Sequence, residues 1–449
     1  MLALIVVAGA FAAPPVANPT AYIPPQCYAQ TVERGRTHNG CFACHQTPRA
    51  PNFTDDAAVQ TTLSFARAAT ENRWANALKP VPPAAISDAA LLAWVRRSNY
   101  LDDGGAPRAI GAVAGFTPDC RFRFDARGFD RAPDGALTGW RAYRSTPFPG
   151  MFWPTNGSAG DVMIRLPAAF RTDESGRATE IVYSTNLAIL EAMLRRADVA
   201  LDQPVDERAL GVDLEGDGQL AMARWVSFAW PARTLPWVGA ARSERPPVAG
   251  LFPLGTEFLH SLRYFDVVDG KVRMAARMKE LRYLRKVRYS TYAELEAAAE
   301  AEAREKQKRP DATRKLLGDA SRGLATGNGW VIGGFIEDAT GALRPQTVEE
   351  TAYCVGCHGG VGATADATFS FARKLGGVDG WRTRRSGGSR ASPSRGAPTE
   401  RASTRTGWRR WAAATTIVSI KKSSGASSVA MAPCAPRCGG RWRATSRRW

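Results

Sequence analysis

The sequence predicts an α+β protein in which two helical haem-binding modules flank a β-rich middle region, with a disordered basic tail at the C-terminal end. Three observations predict it. The pentapeptide Cys-x-x-Cys-His occurs twice, as Cys41-Phe42-Ala43-Cys44-His45 and as Cys354-Val355-Gly356-Cys357-His358. The text between them turns into short aromatic and β-branched runs punctuated by Gly, Pro and Asp. Beyond Trp381 acidic residues all but vanish while arginines accumulate.

The pentapeptide is the attachment signature of a c-type haem, with two thioether-forming cysteines and a histidine that ligates iron. Positions i, i+3 and i+4 share one face of a helical turn, so both sulfurs and the imidazole can meet one porphyrin. Cys41, Cys44, Cys354 and Cys357 are the expected covalent anchors, and His45 and His358 the iron ligands. A zinc site or a thioredoxin-like redox pair would use some of the same residues, but neither needs the repeated histidine.

The elements follow in order. Residues 1–13, MLALIVVAGAFAA, form a signal-like segment, apolar and ending in small residues, too short to span a bilayer by the ~20-residue criterion. Export is therefore expected, to the periplasm or otherwise out of the cytoplasm, with no transmembrane segment. Residues 24–104 form the first haem module. Thr61 to Leu78 has helical rhythm, and Ser87 is the expected N-cap of a helix over Asp88 to Arg97, with Ile86 and Leu91 as its staple. Residues 105–270 are the β-rich middle: Arg121 to Phe124 alternates, Asp134-Gly135 marks a turn, Val162 to Leu166 reads as a strand, and a helix over Asn186 to Arg196 interrupts. Residues 271–380 read as a helical region carrying the second motif, with helices over Arg273 to Lys286 and Thr291 to Lys308, the latter opened by a Thr291/Glu294 capping box.

Residues 381–449 are the tail. The chain has a formal charge of +18, yet sixteen of its 60 basic residues lie in this tail with the single acid Glu400, leaving the body at 44 basic against 41 acidic residues. A near-neutral body argues against nucleic acid as a partner. The tail reads as disordered, or as the product of a shifted reading frame.

Two further candidates stand in the body. His260 is the best distal iron ligand, because His38 is the only other histidine outside the two pentapeptides. Asp213, Glu215, Asp217 and Gln219 place oxygens at alternating positions like the start of a calcium loop, though Arg224 occupies the position where a bidentate Glu belongs. Cys27 and Cys120 remain as a potential disulfide pair in an oxidising compartment.

Pro24-Pro25-Gln26-Cys27-Tyr28, Gly255 to His260, and the second pentapeptide with Thr368 to Lys374 resemble a group of exported bacterial two-haem c-type cytochromes, over roughly residues 24–381. The resemblance implies two c-type haems, and the acidic loop adds calcium as a candidate cofactor. Two haem motifs with a candidate distal histidine predict single-electron transfer between a donor and an acceptor protein; a di-haem peroxidase that reduces peroxide is the alternative.

Overall fold

In the computed structural model the described residues are 86–143, 159–308, 317–348, 350–351, Asp366 and Trp381, together with four short N-terminal strand segments at 16–17, 30–33, 36–39 and 71–72. The signal-like segment, both pentapeptides, Cys27 and residues 382–449 lie outside them.

The architecture is mainly antiparallel β, which corrects the expected class. Among the described residues no helical haem module flanks a β-rich middle; a nine-stranded sheet runs from Phe129 to Pro345 and takes in the Arg273 to Lys286 stretch of the expected helical region. Its strands are β1 (Phe129–Arg131), β2 (Leu137–Tyr143), β3 (Ala159–Arg165), β6 (Glu257–Val268), β7 (Lys271–Lys286), β8 (Leu317–Asp319), β9 (Gly323–Ala325), β10 (Trp330–Glu337) and β11 (Leu343–Pro345). Across the sheet the order is β8-β9-β10-β7-β6-β3-β2-β1, and β11 also pairs with β10. Strands β4 (Val199–Asp206) and β5 (Met222–Val226) form a separate hairpin.

The largest departure is β7. Lys271–Lys286 is rich in Ala, Met, Leu, Lys, Arg and Glu, all good helix formers, and was expected to be helical from Arg273 onward. In the fold it lies between β6 and β10, where Leu281 and Tyr283 point to one buried face and Leu284 and Lys286 to the other. Pairing on both sides and burial on both faces outweigh an intrinsic preference of a few tenths of a kcal/mol per residue.

Register explains the two cores. Ile164, Phe258, Leu284, Ile332 and Leu324 stand opposite one another across five strands and enter the larger core. One position along, Met163, Leu259 and Tyr283 face the other way and enter the second. Such alternation is the period-2 consequence of the pleat.

Helix α2 (Glu180–Arg195) fills the larger core and is buried nearly all round, from Val182 to Leu194. Thr179 caps it through Val182 N (3.2 Å), so the helix begins at Glu180, six residues before the expected start. Asn186 fixes it by donating to Phe170 O and Val238 O and accepting from Val238 N. Residues 98–124 cover the opposite face without regular strands; the expected alternation at Arg121 to Phe124 yields a single bridge, Phe124 to Asp130. Phe116 stacks on Tyr283 at 4.4 Å, and the Asp130 carboxylate accepts from Arg121 N and Arg123 N, both at 2.7 Å.

The capped helices form where their caps announce them. Helix α1 (Asp88–Arg96) opens at Ser87, whose hydroxyl accepts from Ala90 N. Helix α3 (Tyr292–Lys308) opens with Thr291 N donating to the Glu294 carboxylate at 2.7 Å. Arg277 holds α1 to the sheet: its Nε donates to Trp94 O, its Nη1 to Glu337, and its guanidinium lies 3.7 Å from the Trp94 ring centroid.

A buried ion pair closes the larger core. Lys286 and Asp366 are both fully buried; the ammonium donates to the Asp366 carboxylate and to Phe252 O, and Asp366 also accepts from Phe252 N and, at its carbonyl, from Trp330 Nε1. Burial pushes the lysine down and the aspartic acid up, and each charge opposes the shift of the other. Removing one member strands a buried charge, whereas replacing both with apolar side chains of similar volume is close to neutral. Asp366→Ala should therefore lower unfolding free energy by about 3–5 kcal/mol, and the double change Lys286→Met with Asp366→Leu should recover most of it, both read from urea unfolding.

Candidate functional site

His260 lies on the central strand β6, half-buried, in register with Val162 on β3 and Arg282 on β7, and Arg282 in turn faces Gly334 on β10. The four positions form one row on the face of the larger core. The imidazole leans over Gly160: a Cβ there would stand 2.7 Å from His260 Nε2, so the missing side chain makes the room the ring occupies.

The six residues of the two pentapeptides, Cys41, Cys44, His45, Cys354, Cys357 and His358, lie outside the described residues, but both flanks of the second one are described. Upstream, Thr347 and Glu350 form a reciprocal capping pair, and the Glu350 carboxylate also accepts from Arg344. Thr351 donates to Gln346 Oε1, and that oxygen lies where a Cβ on Gly334 would be, 2.5 Å from it. Gln346 N donates to Gly334 O at 2.8 Å. Downstream, Asp366 is held by Lys286, which like Arg282 points to the larger-core face of β7.

The calcium candidates form a tight acidic turn. Asp213 accepts from Gly216 N (2.6 Å) and Gly218 N (2.9 Å), Asp217 accepts from Gln219 N, and Glu215 accepts from Arg224 N. These carboxylates thus face amide N–H groups, and the Arg233 guanidinium stands 3.9 Å from Asp213. Just below, the buried Glu207 carboxylate accepts from Leu214 N and Ala221 N. Among the described residues no group of three or more His, Cys, Asp or Glu side chains converges as a metal site. Cys120 is a fully buried free thiol beside the Asp130 carboxylate.

Lys286, Asp366, Arg127 and Arg141 carry much of the buried electrostatics and escaped the sequence reading. Each pairs with a residue far away in the chain, and no local pattern marks such pairs.

Burial alone would raise the Asp213 carboxyl, but the Gly218 and Gly216 amides and Arg233 outweigh it and hold the group below its ordinary 3.8. A carboxylate lowered in the folded state adds stability that is present above the unfolded value and is lost as pH falls through the folded one. Asp213→Asn should thus lower the melting temperature near neutrality and flatten its fall below about pH 4, checked by thermal melts from pH 6 to pH 2.

Residues 107–410 match a lipoprotein family, which is two thirds of the chain and includes the whole sheet. The chain is also 33% identical over 391 residues to an uncharacterized lipoprotein of Aquifex aeolicus, an alignment covering 81% of this chain. It spans 63% of that relative's length. No solved structure matches. These findings correct the resemblance to two-haem c-type cytochromes: the matching family is described as one of lipoproteins, so haem, cytochrome and electron transport are not its descriptors. The expected export agrees with a lipoprotein family, and no helix among the described residues is long and apolar enough to cross a membrane. With its sheet, the larger core and the flanks of the second pentapeptide inside the matched segment, the chain belongs to this lipoprotein family.

Proposed function

We propose that this lipoprotein-family chain is an exported, periplasm-facing protein that passes single electrons between a donor and an acceptor protein. Cys41 and Cys44 with His45, and Cys354 and Cys357 with His358, would each hold one covalent haem. When bound, haem supplies a one-electron redox centre. The reading rests first on the two pentapeptides, whose residue types and spacing suit thioether attachment and iron ligation together.

The observation that carries it further is the anchoring of the second pentapeptide's flanks. Thr351, three residues before Cys354, is tied through Gln346 to Gly334, and Gly334 shares a row with His260 two strands away. Adjacent strands are ~4.8 Å apart, so this anchor and His260 are separated by about 10 Å across the sheet. Asp366, eight residues after His358, is anchored to the same face through Lys286. Both tethers favour His260 as the side chain that meets the second iron. Its imidazole, held over Gly160, would close that iron's remaining position and favour electron transfer over peroxide binding.

The test is protein matured with haem-attachment machinery, with intact mass and absorption spectra taken oxidised and reduced. Two haems retained after denaturation are expected, with a low-spin spectrum. His260→Ala should keep both haems and shift one toward high spin, with easier binding of cyanide. A mature protein without covalent haem sinks the proposal. A parent that is already high-spin and consumes peroxide rapidly replaces electron transfer with peroxide reduction.

A further inference from the structure

On the side of β6 away from β10, three arginines meet three carboxylates between β1, β2, the start of α2 and β4, with Arg141 two strands from β6. Glu180 accepts from Arg127 Nη1 and from Arg131 Nη2, Asp125 accepts from Arg131, and Asp202 accepts from Arg141 Nη2. Arg141 is 1% exposed and lies between two rings, 4.3 Å from the Phe129 centroid and 4.2 Å from that of Trp381. Charges balance in this cluster, but donors do not.

Arg127 Nε and Nη2 and Arg141 Nη1 are buried and have no acceptor among the described residues. Buried polar groups are almost always paired, so three orphaned donors in one place call for an explanation. Their arrangement is specific. Nε and Nη2 form the side-on edge of the Arg127 guanidinium, the fork that grips two oxygens of one planar anion. Arg127 Nη2 stands 4.0 Å from Asp202 Oδ2, the oxygen that Arg141 Nη2 engages, so the two guanidinium groups converge on one point. At 4.0 Å Asp202 does not satisfy Arg127. The Arg127 side chain as a whole is 30% exposed although these two nitrogens are buried, so the site borders solvent.

We infer that Arg127 and Arg141 form a binding site for a small carboxylate, gripped bidentately by the Arg127 fork and capped by Arg141 Nη1. Because the fixed charges already balance, every negative charge a ligand brings is uncompensated, so a singly charged ligand is disfavoured less than a multiply charged one.

The experiment is a sodium acetate titration of the full chain at constant ionic strength, with sodium chloride as the matched control and inorganic phosphate near pH 8 as the dianionic comparison. Melting temperature and ligand-observed NMR are the readouts. Saturable stabilisation by acetate beyond chloride is expected, with a weaker response to phosphate. Arg127→Gln leaves Glu180 paired to Arg131 and keeps the arginine-rich stretch, so it isolates the fork; its affinity for acetate should fall at least about tenfold. Arg127→Lys keeps the charge without the fork and should fall nearly as far. Circular dichroism of both variants checks that the fold persists. An acetate response equal to that of chloride, or equal in the parent and Arg127→Gln, overturns the inference in favour of trapped water. A stronger response to phosphate than to acetate overturns the assignment to a carboxylate.

Discussion

Asp269 and Gly270 close a two-residue turn between β6 and β7, both with positive φ (50° and 71°), and so fix Val268 opposite Lys271. Two left-handed residues in succession give the turn whose twist matches that of the strands it joins. From that turn the register propagates along the hairpin, through irregularities at Leu262 to Phe265, until Glu257 faces Arg285. Because side chains alternate, a slip of one residue would send Phe258 and Leu284 to the opposite face and bring Leu259 and Tyr283 into their place. Strands β3 and β10 dock on the outer edges of this hairpin, so their rows inherit its register.

The same register brings chemistry together. His260, Arg282 and Gly334 come from three strands and 75 residues of chain, and only the pairing puts them in a row. Gly160 and Gly334 then act by what they lack: one leaves space for an imidazole, the other for a glutamine amide. The polar groups that bridge layers are pinned with similar economy. Glu337 receives both Arg277 and Tyr264, and Glu257 receives both Arg165 and Tyr283. Carboxylates shared in this way satisfy several donors at the cost of burying one acid, and they join strands that hydrogen-bond ladders alone would leave free to shear.

How much of this was legible depended on whether the signal was local. Ser87 and the Thr291/Glu294 pair are local, and the helices start there. Val162 to Leu166 is rich in apolar and β-branched residues, and all of it but Leu166 lies in a strand. Arg273 to Lys286 misled because its composition favours a helix, whereas its conformation is decided by neighbours on both sides and by the Asp269-Gly270 turn just before it. That dipeptide, flanked by Val267-Val268 and by Lys271-Val272, was the available sign of a hairpin. The long-range pairs Lys286 with Asp366 and Arg141 with Asp202 had no such sign. The two pentapeptides lie outside the described residues, and their reading as attachment sites rests on residue type and spacing alone.

Trp381 has a consequence for the rest of the chain. Its ring lies on Arg141 and its carbonyl occupies the space beside Gly128, where a Cβ would come within 1.6 Å of that oxygen. The arginine-rich stretch thus departs from a residue built into the protein's interior, at the margin of the sheet where β1 and β2 lie. Trp381 itself is held to the folded body by its indole on Arg141 and its carbonyl beside Gly128. A cut placed before Trp381 would remove a wall of the core, and a cut placed after it would leave the wall standing.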